Sequence, residues 1–307
     1  MEPTLTATVL AVRPTGFRHN DETAGSNAFQ RAPGADSGAV QMQAAEEFDG
    51  LVTTLRTAGL RVIVADDPNR PPAPDAVFPN NWISLHAGGT AVLYPMLAPA
   101  RRREVRPELI DVVAEATGWQ WPNVIDLTPL AAESAFVEGT GSLILDRPAR
   151  IAWAGRSPRT TRAGLDAFAD ATGFRLVEFG ATDAAGQPIY HTNVMMNVGR
   201  GFAVICLACI DAADRDRVAR SIADTGRTII EITREQLGHF AGNMLALGEP
   251  DGEQFLVMSA AAEACLTPRQ RKAIAGFARI ISAPIPTIER IGGGSVRCML
   301  AEVFGSP

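Results

Sequence analysis

The residues of this chain best suited to covalent chemistry lie far apart in sequence. They are Cys298, just after the glycine run Gly292-Gly293-Gly294, His191 in Tyr190-His191-Thr192-Asn193, and Glu138 in Val137-Glu138-Gly139-Thr140-Gly141. A thiol near neutral pH is mostly protonated and needs a cationic partner to become a nucleophile. An imidazole can stabilise that thiolate, protonate a departing amine and then activate water. A carboxylate can orient the imidazole and stabilise its charge, and glycines allow the backbone to bring a thiol close to a reacting carbon. Together the three types could attack a carbon that carries an amine leaving group.

The remaining thiols and imidazoles carry less. Cys206 and Cys209 form a Cys-x-x-Cys in an apolar run. On a regular strand they would point to opposite faces, and no second pair completes a zinc site, so both are expected in the core, as is Cys265. His86 begins a turn with Gly88-Gly89, His19 adjoins Asn20, and His239 lacks a motif partner. No metal or organic cofactor is implied.

The elements that would gather the three residues follow one grammar: an amphipathic helix, a glycine, then a short β-rich run. Phe48, Leu51, Val52 and Leu55 fall at i, i+3, i+4 and i+7, one stripe of a helix that Gly59 ends before Arg61-Val62-Ile63-Val64. Gly118, Gly173 and Gly226 stop similar helices ahead of Val124-Ile125-Asp126-Leu127, Phe174-Arg175-Leu176-Val177 and Thr228-Ile229-Ile230-Glu231. The glycines recur roughly every 50 to 60 residues, a period that suggests blades. Thr267-Pro268 opens a fifth helix through Ile274 and Phe277 that lacks a closing glycine. Four β-hairpins lie between these units: 82–85 with 91–94, 142–145 with 151–153, 194–196 with 202–205, and 244–247 with 255–258. The runs Pro68 to Pro79 and Pro33 to Gly38 look like loops. A final strand, Val296 to Val303, and a first strand, Thr6 to Val12, can complete one blade together and close a ring. The chain is expected to form one α/β domain over residues 1–307.

In such a ring every hairpin starts on one face, so the residues just before the hairpins converge. These include Asp75, Asn80 and Asn81, then Glu138, His191 and Asn193, then Gly242-Asn243-Met244, and finally the run from Gly292 to Cys298. Their order and spacing resemble the guanidine-modifying superfamily of arginine deiminase, dimethylarginine dimethylaminohydrolase and arginine amidinotransferase. The chain is similar to its citrulline-utilisation hydrolase group in the opening Val12-Arg13-Pro14, Asn20, Thr23-Ala24, Asn27 and Phe29-Gln30, and the likeness runs from about Val9 to Phe304. The resemblance implies a five-bladed pseudo-symmetric α/β propeller (pentein) of ββαβ repeats, and a covalent intermediate on Cys298 with His191 and Glu138 as its partners.

It also implies a binding set. Asp75 matches a residue for the substrate's α-amino group. Arg101 and Arg159 match arginines at or near the α-carboxylate, a task suited to a planar guanidinium fork. Asn20 resembles an asparagine that arginine dihydrolases use. Asn81 and Asn193 stand where relatives place acidic grips on the guanidinium. An amide both donates and accepts, so it suits a neutral ureido group better than a carboxylate would. The expected reaction is therefore citrulline to ornithine, carbon dioxide and ammonia. Arginine or methylarginine deiminase, arginine dihydrolase and amidinotransferase are the alternatives within the superfamily, and a ribosome anti-association factor is the non-catalytic one.

Bulk properties agree with small-molecule chemistry. The 307 residues are 46% hydrophobic with a net charge of -6, and no basic block exceeds Arg101 to Arg103, which gives little attraction for nucleic acid or anionic lipid. Neither a basic and apolar leader nor a membrane-length apolar run is present, so the chain is expected to be soluble and cytoplasmic, with free thiols. The partner expected is an amino-acid substrate; oligomeric state stays open, a homodimer among the options.

Overall fold

Short apolar runs pair into five sheets of three strands among the residues described, which in this computed structural model are 2–32, 34, 37–67 and 73–305. Ile83–His86 pairs antiparallel with Thr90–Leu93, and the chain then crosses a helix to lay Asn123–Asp126 parallel to the latter. Ile144–Asp146, Ile151–Gly155 and Arg175–Phe179 repeat this order, as do Met196–Val198, Phe202–Ile205 and Thr228–Glu231, and then Leu245–Gly248, Gln254–Ser259 and Arg279–Ala283. A parallel return needs a long crossover, and the intervening helix supplies it. The fifth sheet joins the two ends of the chain. Thr8–Arg13 lies parallel to Arg61–Asp66 and antiparallel to Ala301–Glu302, with Val9 opposite Glu302 and Leu10 opposite Ala301. The result is the five-bladed ring of ββαβ units that the family resemblance implies.

The crossover helices form for the reasons the spacing gave. In Ser37–Thr57 the stripe Phe48, Leu51, Val52 and Leu55 is buried against the sheets. Leu109–Thr117 and Arg162–Thr172 end on Gly118 and Gly173 in the left-handed conformation (φ 78° and 74°), which costs glycine nothing. Pro268–Ala275 opens on Thr267 in a full capping box with Gln270. No helix is long and apolar enough to cross a membrane among the described residues.

Several expectations need correction. The run Val296 to Val303 is a strand only at Ala301–Glu302; residues 296–299 form a turn in which the Cys298 N–H donates to Ser295 O at 2.9 Å. Val296, Met299 and Leu300 are all buried, so the apolar run carries no period that would separate turn from strand. Cys206 and Cys209 do not sit on opposite strand faces. Phe202–Ile205 ends before them, and a 3-10 turn at Leu207–Cys209 brings their sulphurs within 3.1 Å. The fifth crossover helix does meet a glycine, Gly276, in right-handed conformation. Ser37 and Gly38 open a helix and not a loop, while Pro33, Ala35, Asp36 and residues 68–72 of the two expected loops lie outside the described residues.

Candidate active site

Each blade contributes one position to the axis of the ring, two or three residues ahead of its first strand: Asn81, Gly141, Asn193, Asn243 and Cys298. All five sit in tight turns or single helical turns, such as Pro79–Asn81, Gly139–Ser142 and Thr192–Val194, which aim the side chain inward before the strand departs. Gly141 is the position without a side chain. A Cβ there would lie 2.8 Å from His191 Nδ1 and would collide with the Asn81 amide, so glycine makes room for the imidazole.

His191 leads into the third of these turns and is 1% exposed. Its Nε2 lies 2.8 Å from Glu138 Oε2. The carboxylate only accepts, so the neutral ring carries its hydrogen on Nε2 and keeps Nδ1 as a base. Burial lowers the imidazole to about 4, against the opposing pull of Glu138, so the ring is neutral near pH 7. Glu138 itself is wholly buried, which alone would raise its carboxyl. Arg159, the bond from His191, and Arg101 together bring it down to about 2. Its Oε1 accepts from Leu97 N–H at 2.9 Å, and Oε2 lies 3.7 Å from both Arg101 and Arg159.

Cys298 and His191 face one small cavity, walled also by Asp75, Asn81, Arg101, Arg159 and Tyr190, with Gly292 to Gly294 on one side and Thr23 and Asn27 on another. Arg101 is buried, gripped by Glu104 through Nε (3.1 Å) and Nη2 (2.8 Å), and donates from Nη1 to Asn81 Oδ1 at 3.0 Å. Guanidinium only donates, so the Asn81 oxygen must face it and the Asn81 NH2 turns away. That NH2 has no partner among the described residues, and neither has Asp75 Oδ1. Asp75 Oδ2 accepts from Asn20 at 2.7 Å. Arg159 donates to Ser26 Oγ at 2.8 Å and lies over the Tyr190 ring, which ties the turn Asp21–Ala24 to the cavity.

The sequence-predicted residues thus divide. Cys298, His191, Asp75, Asn81, Arg101 and Arg159 meet at the cavity, and Glu138 stands behind His191. Asn20 and Asn193 do not wall it. Asn20 caps Asp21–Ala24 and holds Asp75, while Asn193 turns its amide to Cys298 Sγ at 3.6 Å. Sequence reasoning gave no role to Asn243, whose Nδ2 is 3.2 Å from the same sulphur, although its place in the repeat matches Asn81, Asn193 and Cys298. Glu104, the partner of Arg101, was also missed. Among the described residues, no cluster of three or more His, Cys, Asp or Glu side chains is arranged to hold a metal ion.

The sequence model of the family described as "N,N dimethylarginine dimethylhydrolase, eukaryotic" matches residues 13–305. The chain belongs to this family. Membership places it in the guanidine-modifying superfamily, and its architecture is the pentein fold. Solved structures share that fold at low identity. The N-terminal domain of ArgZ bound to product, an arginine dihydrolase from Cyanobacteria, is 20% identical over 97% of this chain and 98% of that one, with a TM-score of 0.74. Unliganded AgrE is 19% identical over 98% of this chain and 40% of its own, with a TM-score of 0.74. The dimethylarginine dimethylaminohydrolase adduct with S-methyl-L-thiocitrulline is 16% identical over 97% and 99%, with a TM-score of 0.63. No curated protein matches the chain. Within this family frame, an uncommitted imidazole nitrogen, a thiol and a one-sided amide donor share one small enclosed space.

Proposed function

We propose that the chain is a cysteine-dependent hydrolase of a linear C–N bond in a ureido or amidino amino acid, with citrulline as substrate and ornithine, carbon dioxide and ammonia as products. The observation that carries this reading is the orientation of Asn81: Arg101 takes its oxygen, which leaves the NH2 of this cavity-lining residue without a partner among the described residues. A donor there pairs with a ureido carbonyl oxygen, which a carboxylate could not do. Cys298 Sγ attacks the ureido carbon as its proton passes to His191 Nδ1, and that proton leaves with ammonia. Water, deprotonated by the same nitrogen, then attacks the resulting thiocarbamate, and the thiolate departs. The released N-carboxy-ornithine loses carbon dioxide to give ornithine. Glu138 stabilises the imidazolium formed in both steps. Asp75 Oδ1 is free to accept from the substrate's α-ammonium, and Arg159 is suited to the α-carboxylate.

A second reading is favoured by charge. Asp75 Oδ1, a buried carboxylate oxygen without a partner among the described residues, lines the cavity and suits a cationic guanidine, whereas Glu104, whose carboxyl burial raises to about 8, is committed to Arg101. Arginine taken through both hydrolyses to ornithine would fit this reading. The deciding assay offers arginine, methylarginines, agmatine and citrulline and measures ammonia, citrulline and ornithine. Ornithine from citrulline supports the first reading, ornithine from arginine alone supports the second, and citrulline accumulating from arginine sinks the ureidase proposal. A non-catalytic binding role predicts that Cys298→Ala is silent; alkylation of Cys298 by a haloacetamidine with loss of turnover rules that role out.

A further inference from the structure

One nitrogen of His191 is committed. Its Nε2–H points to Glu138 and burial keeps the ring neutral, so the free site has no imidazolium beside the thiol. The polar groups around Cys298 Sγ are amides: Asn243 Nδ2 is nearest at 3.2 Å, followed by Asn193 Nδ2 and Asn243 Oδ1 at 3.6 Å and Asn193 Oδ1 at 3.8 Å. Their orientation is fixed by a backbone group. Asn243 Nδ2 also lies 3.0 Å from the Asn193 main-chain oxygen, which only accepts, so a flipped Asn243 would set two oxygens face to face. One hydrogen of that NH2 goes to the carbonyl, and the other is shared between the sulphur and Asn193 Oδ1, each 3.2 Å away. Asn193 Oδ1 accepts from the same group at 3.2 Å, which turns the Asn193 NH2 toward the sulphur as well. Both asparagines are 0% exposed, and in so dry a setting a donor aimed at a thiolate has no water to compete with.

We propose that Asn243, seconded by Asn193, stabilises the Cys298 thiolate, so that the nucleophile is held by amide donors and His191 acts on the thiol only as the acceptor of its proton. The repeat explains how this arises: three successive axial positions, Asn193, Asn243 and Cys298, come from neighbouring blades and meet edge to edge. The inference rests on Cys298 being the nucleophile. It deepens that reading by naming what poises the thiol.

The test is the pH dependence of Cys298 alkylation by iodoacetamide in the full chain, read on the Cys298 peptide by mass spectrometry so that the other three thiols do not interfere. A hydrogen bond to a charged group shifts an equilibrium by about tenfold or more. The alkylation midpoint of Asn243→Ala should therefore rise by about one pH unit or more, and that of Asn193→Ala by less. His191→Ala should leave the midpoint within a few tenths of a unit while lowering turnover by about 10³-fold. Asn243→Asp, of equal size but unable to donate, should raise the midpoint too and serves if the alanine variant fails to fold. A midpoint unmoved in folded Asn243 variants, or one that follows His191 instead, overturns the proposal. If the midpoint moves as expected but no ureido or guanidino compound is turned over, the amide pair stands and the functional reading falls; turnover with an unmoved midpoint does the reverse.

Discussion

Two buried histidines in this molecule look alike by composition and differ in what they can do. They lie near opposite ends of one strand, Ile83–His86: the His191 ring approaches the axis beside Asn81, which precedes the strand, and His86 ends it. Each has a glutamate and an arginine close by, and burial lowers the pKa of each. His86 even resembles a serine-histidine-glutamate set, with Nε2 2.9 Å from Ser84 Oγ and Nδ1 3.6 Å from Glu2. Yet Arg147 Nη1 is 3.0 Å from Nδ1, and guanidinium only donates. Nδ1 must accept, Nε2 must carry the hydrogen, and no nitrogen is left to take a proton from Ser84, which in turn bonds Tyr94 Oη at 2.7 Å. His191 has one committed nitrogen and one open one. Burial and a neighbouring carboxylate do not make a base; an uncommitted lone pair beside a nucleophile does.

That contrast is broken or sharpened first by truncation. His191→Ala should lower kcat by about 10³-fold, within the range of a general acid–base group. His86→Ala should leave kcat within about twofold while lowering unfolding free energy by about 1–3 kcal/mol, because Arg147 and Ser84 lose a buried partner. Steady-state turnover and urea unfolding measure the two, and comparable losses of kcat in both variants would end the distinction. Glu138→Gln comes next, at about 10²-fold in kcat, because the imidazolium formed in each step loses its anion. Glu2→Gln should leave kcat unchanged. Gly141→Ala should then cost about tenfold in kcat and about 1–3 kcal/mol of stability through overpacking against His191 and Asn81. At Gly88 nothing lies within 4 Å of an added Cβ, so Gly88→Ala should be neutral in both assays.

Much of this was legible in the chain. Helix stripes such as Phe48, Leu51, Val52 and Leu55, the glycines that follow, and the paired β runs announced the repeat because period and punctuation are local properties. The repeat in turn announced which loops share a face, and so gathered Cys298, His191, Asp75 and Asn81. What stayed hidden depends on hydrogen bonds across blades. Asn193 reads as a substrate grip by its position in a motif, but which way its amide points is settled by the Asn243 NH2 from the next blade. Asn20 likewise serves Asp75 from 55 residues away. Cys206 and Cys209 lie in the core as expected, but off the strand, because an unbroken apolar run does not reveal where a strand gives way to a 3-10 turn.

The smallest expected effect concerns acid, and it separates the histidines once more. The unfolded chain takes up protons on both imidazoles near 6.5, whereas burial lowers both in the folded chain, His191 to about 4. The unfolded state then binds more protons, so stability falls as pH drops from about 6.5 toward 4. Glu138 acts in a lower window: its carboxyl is depressed from 4.5 to about 2, so the stability it contributes is present above 4.5 and is lost between those values. Unfolding midpoints between pH 7 and 4.5 should therefore report the histidines. His86→Gln should flatten that slope and leave the acid limb of kcat/KM in place, because its proton takes no part in turnover. His191→Gln should flatten the slope as well, but the residual activity should lose its acid limb. An acid limb that vanished with His86 instead would mean that the fully bonded imidazole, and not the open one, is the working base.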